Sequence, residues 1–125
     1  MKLIELYNAE NLYDKLSSRT DLPIKTVYKL VKFFEVIKKE AEFYREELVK
    51  ILNEYAERDK EGKVILINEG QNIKIKPDFL TECEEKLQEL ANLEVDKPNI
   101  TFKLDELPEG LSVQELDYLM PFIEE

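Results

Sequence analysis

A chain of 125 residues is long enough for one domain with a modest core, and its 43% hydrophobic content excludes disorder as the default state. Its apolar runs are too short to span a bilayer, and a single cysteine, Cys83, excludes an internal disulfide framework. A formal charge of −10 argues against general duplex nucleic-acid binding, and the absence of histidine removes His bases, Ser-His and Cys-His pairs and most zinc sites.

The chain opens on Lys2-Leu3-Ile4-Glu5-Leu6-Tyr7, which reads as a brief strand or extended lead-in. Asn8 then reads as a cap for a short helix over Ala9 to Ser17, with Leu12, Tyr13 and Leu16 on one face. Ser17 to Asp21 is a connector. Asp21 before Leu22-Pro23 is a helix start, because a proline in the first turn loses no hydrogen bond there.

From Leu22 to Arg58 the pattern predicts one unbroken helix, roughly 54 Å long at ~1.5 Å per residue. Val27, Phe34, Ala41, Leu48 and Tyr55 recur every seventh residue, and Leu30, Ile37, Tyr44 and Ile51 form the set three further on. All are apolar or aromatic, so the helix carries a heptad seam that needs a partner surface along its length. Phe33, Val36 and Phe43 add a second apolar strip, so the first half is expected to be covered over a wide arc. Gly62 offers the left-handed turn that ends the helix region.

Lys63 to Ile67 and Asn72 to Lys76 are β-type runs around Asn68-Glu69-Gly70-Gln71, and predict a hairpin. Pro77-Asp78 starts a helix to about Asn92, with Leu80, Cys83, Leu87 and Leu90 on one face. It is expected to run back antiparallel along the second half of the long helix. Its reach leaves the first half without an intrachain partner of equal length, so that end is expected to be open. Leu93-Glu94-Val95 and Ile100 to Leu104 read as extended, pairing with each other or with the opening strand. Ser112-Val113-Gln114-Glu115 is a capping box for a final helix that Pro121 kinks or ends.

The fold expected is α+β and mainly α, a single domain over residues 1–125. It has one long central helix, an antiparallel shorter helix, a β-hairpin at the tip, short extra strands and a C-terminal helix.

Charge is unevenly spread. Between Lys15 and Glu40 seven basic residues face three acidic ones, while Leu104 to Glu125 carries seven acids and no base. Arg19, Lys25, Tyr28, Lys29 and Lys32 gather near the start of the long helix, where free N–H groups and the helix dipole favour anions. These five, with Thr20 beside them, are the candidate ligand-binding residues, for a small phosphate-bearing molecule on whose base Tyr28 could stack. The competing reading is that the lysines neutralise the acidic tail, within one subunit or across an interface. Cys83 falls in a core pattern and reads as a core thiol. The three glycines stand alone, so no phosphate loop exists. The carboxylate pairs read as solvated faces. No catalytic residue, metal site or cofactor is expected.

The stretch Leu22-Pro23-Ile24-Lys25-Thr26-Val27-Tyr28-Lys29-Leu30 and the ending Leu111 to Leu116 through Pro121 to Glu125 carry a resemblance. In layout the chain resembles a family of small uncharacterised proteins encoded by phages and prophages of low-GC Gram-positive bacteria. The resemblance implies a viral setting, in which small non-enzymatic proteins act by assembly or by blocking host factors.

The expectation for function is a non-enzymatic, phage-type homo-oligomer in the host cytoplasm, without a secretion leader or membrane anchor. It would sequester or block a host factor, with a nucleotide immune signal as one candidate ligand. The alternative is a virion structural or assembly accessory, such as a helical spacer or chaperone. A carboxylate-metal enzyme is the least supported class.

Overall fold

The computed structural model describes residues 1–124; Glu125, counted above in the acidic tail, lies outside them. The expected class holds: the chain is α+β and mainly α. Helix α3, Ile24–Tyr55, is 32 residues long, about 48 Å at ~1.5 Å per residue. Around it are α1 (Leu3–Glu10), α2 (Tyr13–Ser17), α4 (Leu80–Ala91) and α5 (Val113–Leu119), with 3-10 turns at Pro77–Phe79, Leu104–Glu106 and Met120–Phe122.

Both ends of α3 are shorter than predicted. Pro23 (φ −59°, ψ 146°) stands at the N-cap, and Asp21 caps nothing because Arg19 takes its carboxylate. At the other end Ala56 turns extended and pairs with Ile75, and Arg58 pairs with Val64. Residues 56–58 thus leave the helix to serve the hairpin.

The opening strand is corrected to a helix. Leu3, Leu6 and Ala9 are all buried and recur every third residue, which is one helical face. The same stretch admits a period of two, and packing on α3 decides between them. Extended pairing survives only at the first residues: the Leu3 N–H donates to Leu93 O and the Val95 N–H to Met1 O, both at 2.8 Å. Leu93 to Val95 therefore pairs with the start of the chain, as one of the two expectations had it.

The hairpin forms, with β1 (Leu66–Ile67) antiparallel to β2 (Asn72–Ile73) and Leu66 opposite Ile73. Its base is a three-way junction. Glu57 N–H donates to Lys74 O, Lys74 N–H to Ile65 O and Ile65 N–H to Glu57 O, at 2.8, 2.9 and 2.9 Å. Its tip carries positive φ at Asn68, Glu69 and Gly70. A second pair was not foreseen: β3 (Phe102–Lys103) runs parallel to β4 (Ile123–Glu124), with Phe102 opposite Ile123. The Ser112 capping box forms as read, with the Glu115 N–H donating to the Ser112 hydroxyl at 3.1 Å.

The main core sits on the first half of α3. Leu30, Phe33, Phe34 and Ile37 are buried against Leu6 and Ala9 of α1, Leu12 and Leu16 around α2, and Phe102, Leu119 and Phe122 from the C-terminal segment. Phe33 is the hub, edge-on to Phe34, Phe102 and Phe122 with centroids 5.4, 5.4 and 4.8 Å away. A smaller core joins Tyr44 of α3 to Leu3 and Leu90, with Leu48 and Ile51 packed beside it.

Two expectations are thereby reversed. The first half of α3 is the closed end, because α1, α2 and the C-terminal segment together supply the cover that α4 is too short to give. The apolar strip beside the seam is not covered throughout: Phe33 is buried, but Val36 is 51% and Phe43 45% exposed. Every seam residue is buried or half-buried within this one chain. The partner that the heptad pattern demanded is the chain itself.

Candidate functional site

The five candidate residues sit on two elements, and the structure does not gather them into one pocket. Arg19 lies in the α2–α3 connector. Its Nε and Nη2 donate to both carboxylate oxygens of Asp21 at 2.9 and 2.6 Å, and Nη1 donates to Glu109 O at 2.7 Å. The Asp21 hydrogen bonds raise the Arg19 pKa, and the same fork lowers that of Asp21.

Lys29 is fully engaged. Its Nζ donates to Thr101 O at 2.9 Å and to the Glu106 Oε1 and Oε2 at 2.9 and 3.0 Å, and lies 5.6 Å from the centre of the Phe102 ring. An ammonium has three donors, and all three are used. The Lys103 N–H, first, and Lys29, second, hold the Glu106 carboxyl below its usual range. Lys15 completes the pattern, donating to Glu115 at 2.6 Å and joining α2 to α5. With the Ser112 N–H and hydroxyl it holds the Glu115 carboxyl down at about 2. Lys15 and Lys29 thus neutralise acids of the C-terminal segment within one subunit.

The other three point to solvent. Tyr28 is 64% exposed, with the Lys32 Nζ 5.7 Å from its ring centre. Lys32 reaches Glu35 at 3.8 Å, a separation at which an exposed pair contributes little. Lys25 is exposed and acts on Glu106 only at a distance. Lys25, Tyr28 and Lys32 line none of the clefts described below.

A concave surface lies beside them, between α2 and α3. Tyr13 and Val31 are its half-exposed rims and Phe34 its floor, with the Tyr13 ring edge-on to Phe34 at 5.2 Å. One end is an apolar cleft of about 160 Å³ that reaches Leu22 and Val27 and has Arg19 at its edge. The other widens to about 320 Å³ between Glu10, Glu35 and Lys38. Sequence reading missed this groove. Tyr13 was read on one face with Leu12 and Leu16, and Val31 lies just outside the seam; the faint signal was an apolar residue midway between Val27 and Phe34 with no seam position to fill.

Among the described residues no group of three His, Cys, Asp or Glu side chains is placed to hold a metal ion. No helix among them is long and apolar enough to cross a membrane. Cys83 is buried on α4, and burial pushes its thiol pKa up, which makes it a poor nucleophile. Comparison with protein-family models, with curated proteins and with solved structures finds no match.

Proposed function

We propose that this chain is a non-enzymatic, homo-oligomeric binding protein that sequesters or blocks a protein partner through the groove between α2 and α3. The observation that carries this reading is the exposed apolar groove itself, with Tyr13 and Val31 left half-exposed over Phe34 next to an otherwise filled core. The narrower cleft has room for one large apolar side chain, since roughly 150 Å³ admits a benzene ring. An anchor residue in such a cleft, rimmed by charged side chains, is how interfaces concentrate their binding energy. In the viral setting that the resemblance implies, the partner is a host factor.

The nucleotide version of this reading has less behind it. Lys29 spends its three donors and Arg19 three of its five inside the chain, and Lys25, Tyr28 and Lys32 stand in open solvent. Electrostatics at an exposed surface of this kind are weak and screened by salt.

Selection of a random peptide library on the purified protein separates the two. The groove reading expects peptides with a large apolar anchor whose binding drops at least tenfold in Val31→Asp and is unchanged in Lys25→Ala/Lys32→Ala. Thermal shift with cyclic nucleotides and ADP-ribose derivatives is expected to show no stabilisation. Peptides indifferent to Val31→Asp, or a nucleotide shift that Lys25→Ala removes, would contradict it.

A further inference from the structure

A second surface lies on the other side of α3. Val36 is five positions on from Val31, about 140° around a helix of 3.6 residues per turn. On that side Lys25, Lys29, Lys32, Val36, Glu40, Phe43 and Glu47 follow at spacings of four or three residues and form one ridge. The ridge is accessible: Val36 and Phe43 are about half-exposed, Lys32 and Lys25 are exposed, and Glu40 and Glu47 are half-buried. It is basic at its first end, apolar in the middle and acidic at its second end.

The order is self-complementary about Val36. Lys32 and Glu40 stand four residues either side of it, Lys29 and Phe43 seven, and Lys25 and Glu47 eleven. We infer that this ridge is the interface of an antiparallel homodimer, with a two-fold axis passing beside Val36. This specifies the homo-oligomeric part of the function proposed above and rests on it. A two-fold interface brings each residue onto its mirror position, so one chain's Val36 meets the partner's Val36. Glu40 receives the partner's Lys32, Glu47 the partner's Lys25, and Phe43 lies on the stem of the partner's Lys29. A parallel pairing would set lysine on lysine and glutamate on glutamate, which opposes association.

The ground beside the ridge fits the same occupant. A cleft of about 610 Å³ opens between Val36 and Glu40 and the connector that carries Glu94, Asp96 and Lys97. Glu94 is paired with the Met1 ammonium at 2.9 Å, so Glu40 and Asp96 against Lys97 leave the cleft acidic by one charge, where the partner's Lys32 arrives. A second cleft, of about 250 Å³, is bounded by Phe43, Glu47, Glu89 and Lys86, and since Lys86 is turned to Glu54 at 3.3 Å the two glutamates are left for the partner's Lys25. Within one chain Lys32 meets Glu35 at 3.8 Å and the half-buried Glu47 meets Lys50 at 3.2 Å, weak contacts between neighbours on one helix, while the Lys29 ammonium stays on Glu106 and offers a partner only its stem. Lys25, Glu40 and Glu89 form no ion pair among the described residues. Pairing through this side leaves the α2–α3 groove of each subunit facing outward, so the dimer is bivalent.

The test is light scattering on the wild type and two charge-reversed variants, Glu40→Lys/Glu47→Lys and Lys25→Glu/Lys32→Glu. The wild type is expected to be dimeric at tens of micromolar. Each variant alone is expected to dimerise at least tenfold more weakly, and an equimolar mixture to recover as a heterodimer, because all charges are then opposed again. Val36→Cys, the sole exposed thiol, is expected to form a disulfide-linked dimer under mild oxidation, while Val49→Cys does not. A wild-type dimer that survives both reversals and leaves Val36→Cys monomeric on a non-reducing gel would overturn this interface and leave the oligomeric reading standing. A wild-type monomer at that concentration would overturn both.

Discussion

The two halves of α3 carry the same seam and meet different fates. From Ile24 to Ile37 the helix is wrapped by α1, α2, the β3–β4 pair and α5, and its seam reaches a core built on Phe33. From Ala41 to Tyr55 it has α1's first residues, α4 and the hairpin base, and a small core of Leu3, Tyr44 and Leu90. A heptad pattern states that a surface is needed and is silent on who supplies it. Here short pieces from both sides of α3 in the sequence do more than one helix of matching length.

The contrast predicts unequal losses on truncation. Phe33→Ala removes the hub of three edge-on ring contacts and is expected to cost about 3–5 kcal/mol in urea denaturation. Leu90→Ala, in the thinner half, is expected at the low end for buried leucine, about 2 kcal/mol, because its surroundings can relax toward solvent. Equal losses would mean that the second half is as well packed as the first.

A smaller effect is electrostatic and concerns carboxylates around the first half. The Glu115 carboxyl titrates at about 2 in the folded chain, against 4.5 for an ordinary glutamate. Its folded pKa is depressed, so its contribution is complete above about 4.5 and is lost as pH falls from there towards 2. Glu106 and Asp21 shift in the same direction and add to the same loss. Acid titration of stability is therefore expected to be shallower below pH 4.5 in Lys15→Met, which removes the first cause of the Glu115 shift. An unchanged titration would show that the Lys15–Glu115 pair does not hold α5 to α2.

The sequence pattern carried the helical class, the long helix, the hairpin and the Ser112 cap, because each is written in residues close together along the chain. It missed what depends on distant partners. Leu3, Ile4 and Leu6 fit either period, and only the α3 surface selects the helix. The parallel β3–β4 pair joins Phe102 to Ile123, with no local signature. The candidate residues were legible as a basic cluster at one end. That the lysines neutralise the acidic tail was legible too; which acid Lys29 takes was not, since Glu106 stands 77 residues away. Val36 and Phe43 had been read as covered because they are apolar, and their exposure is what makes the ridge on α3 visible.

Hydrogen exchange along α3 tests the contrast between its halves most directly. Amides of Leu30 to Ile37 are expected to exchange slowest, near the rate set by global unfolding, and those of Val49 to Tyr55 substantially faster through local opening. The reverse order, with Leu30 to Ile37 exchanging faster than Val49 to Tyr55, would return the open end to the start of the helix and contradict the assignment of the core.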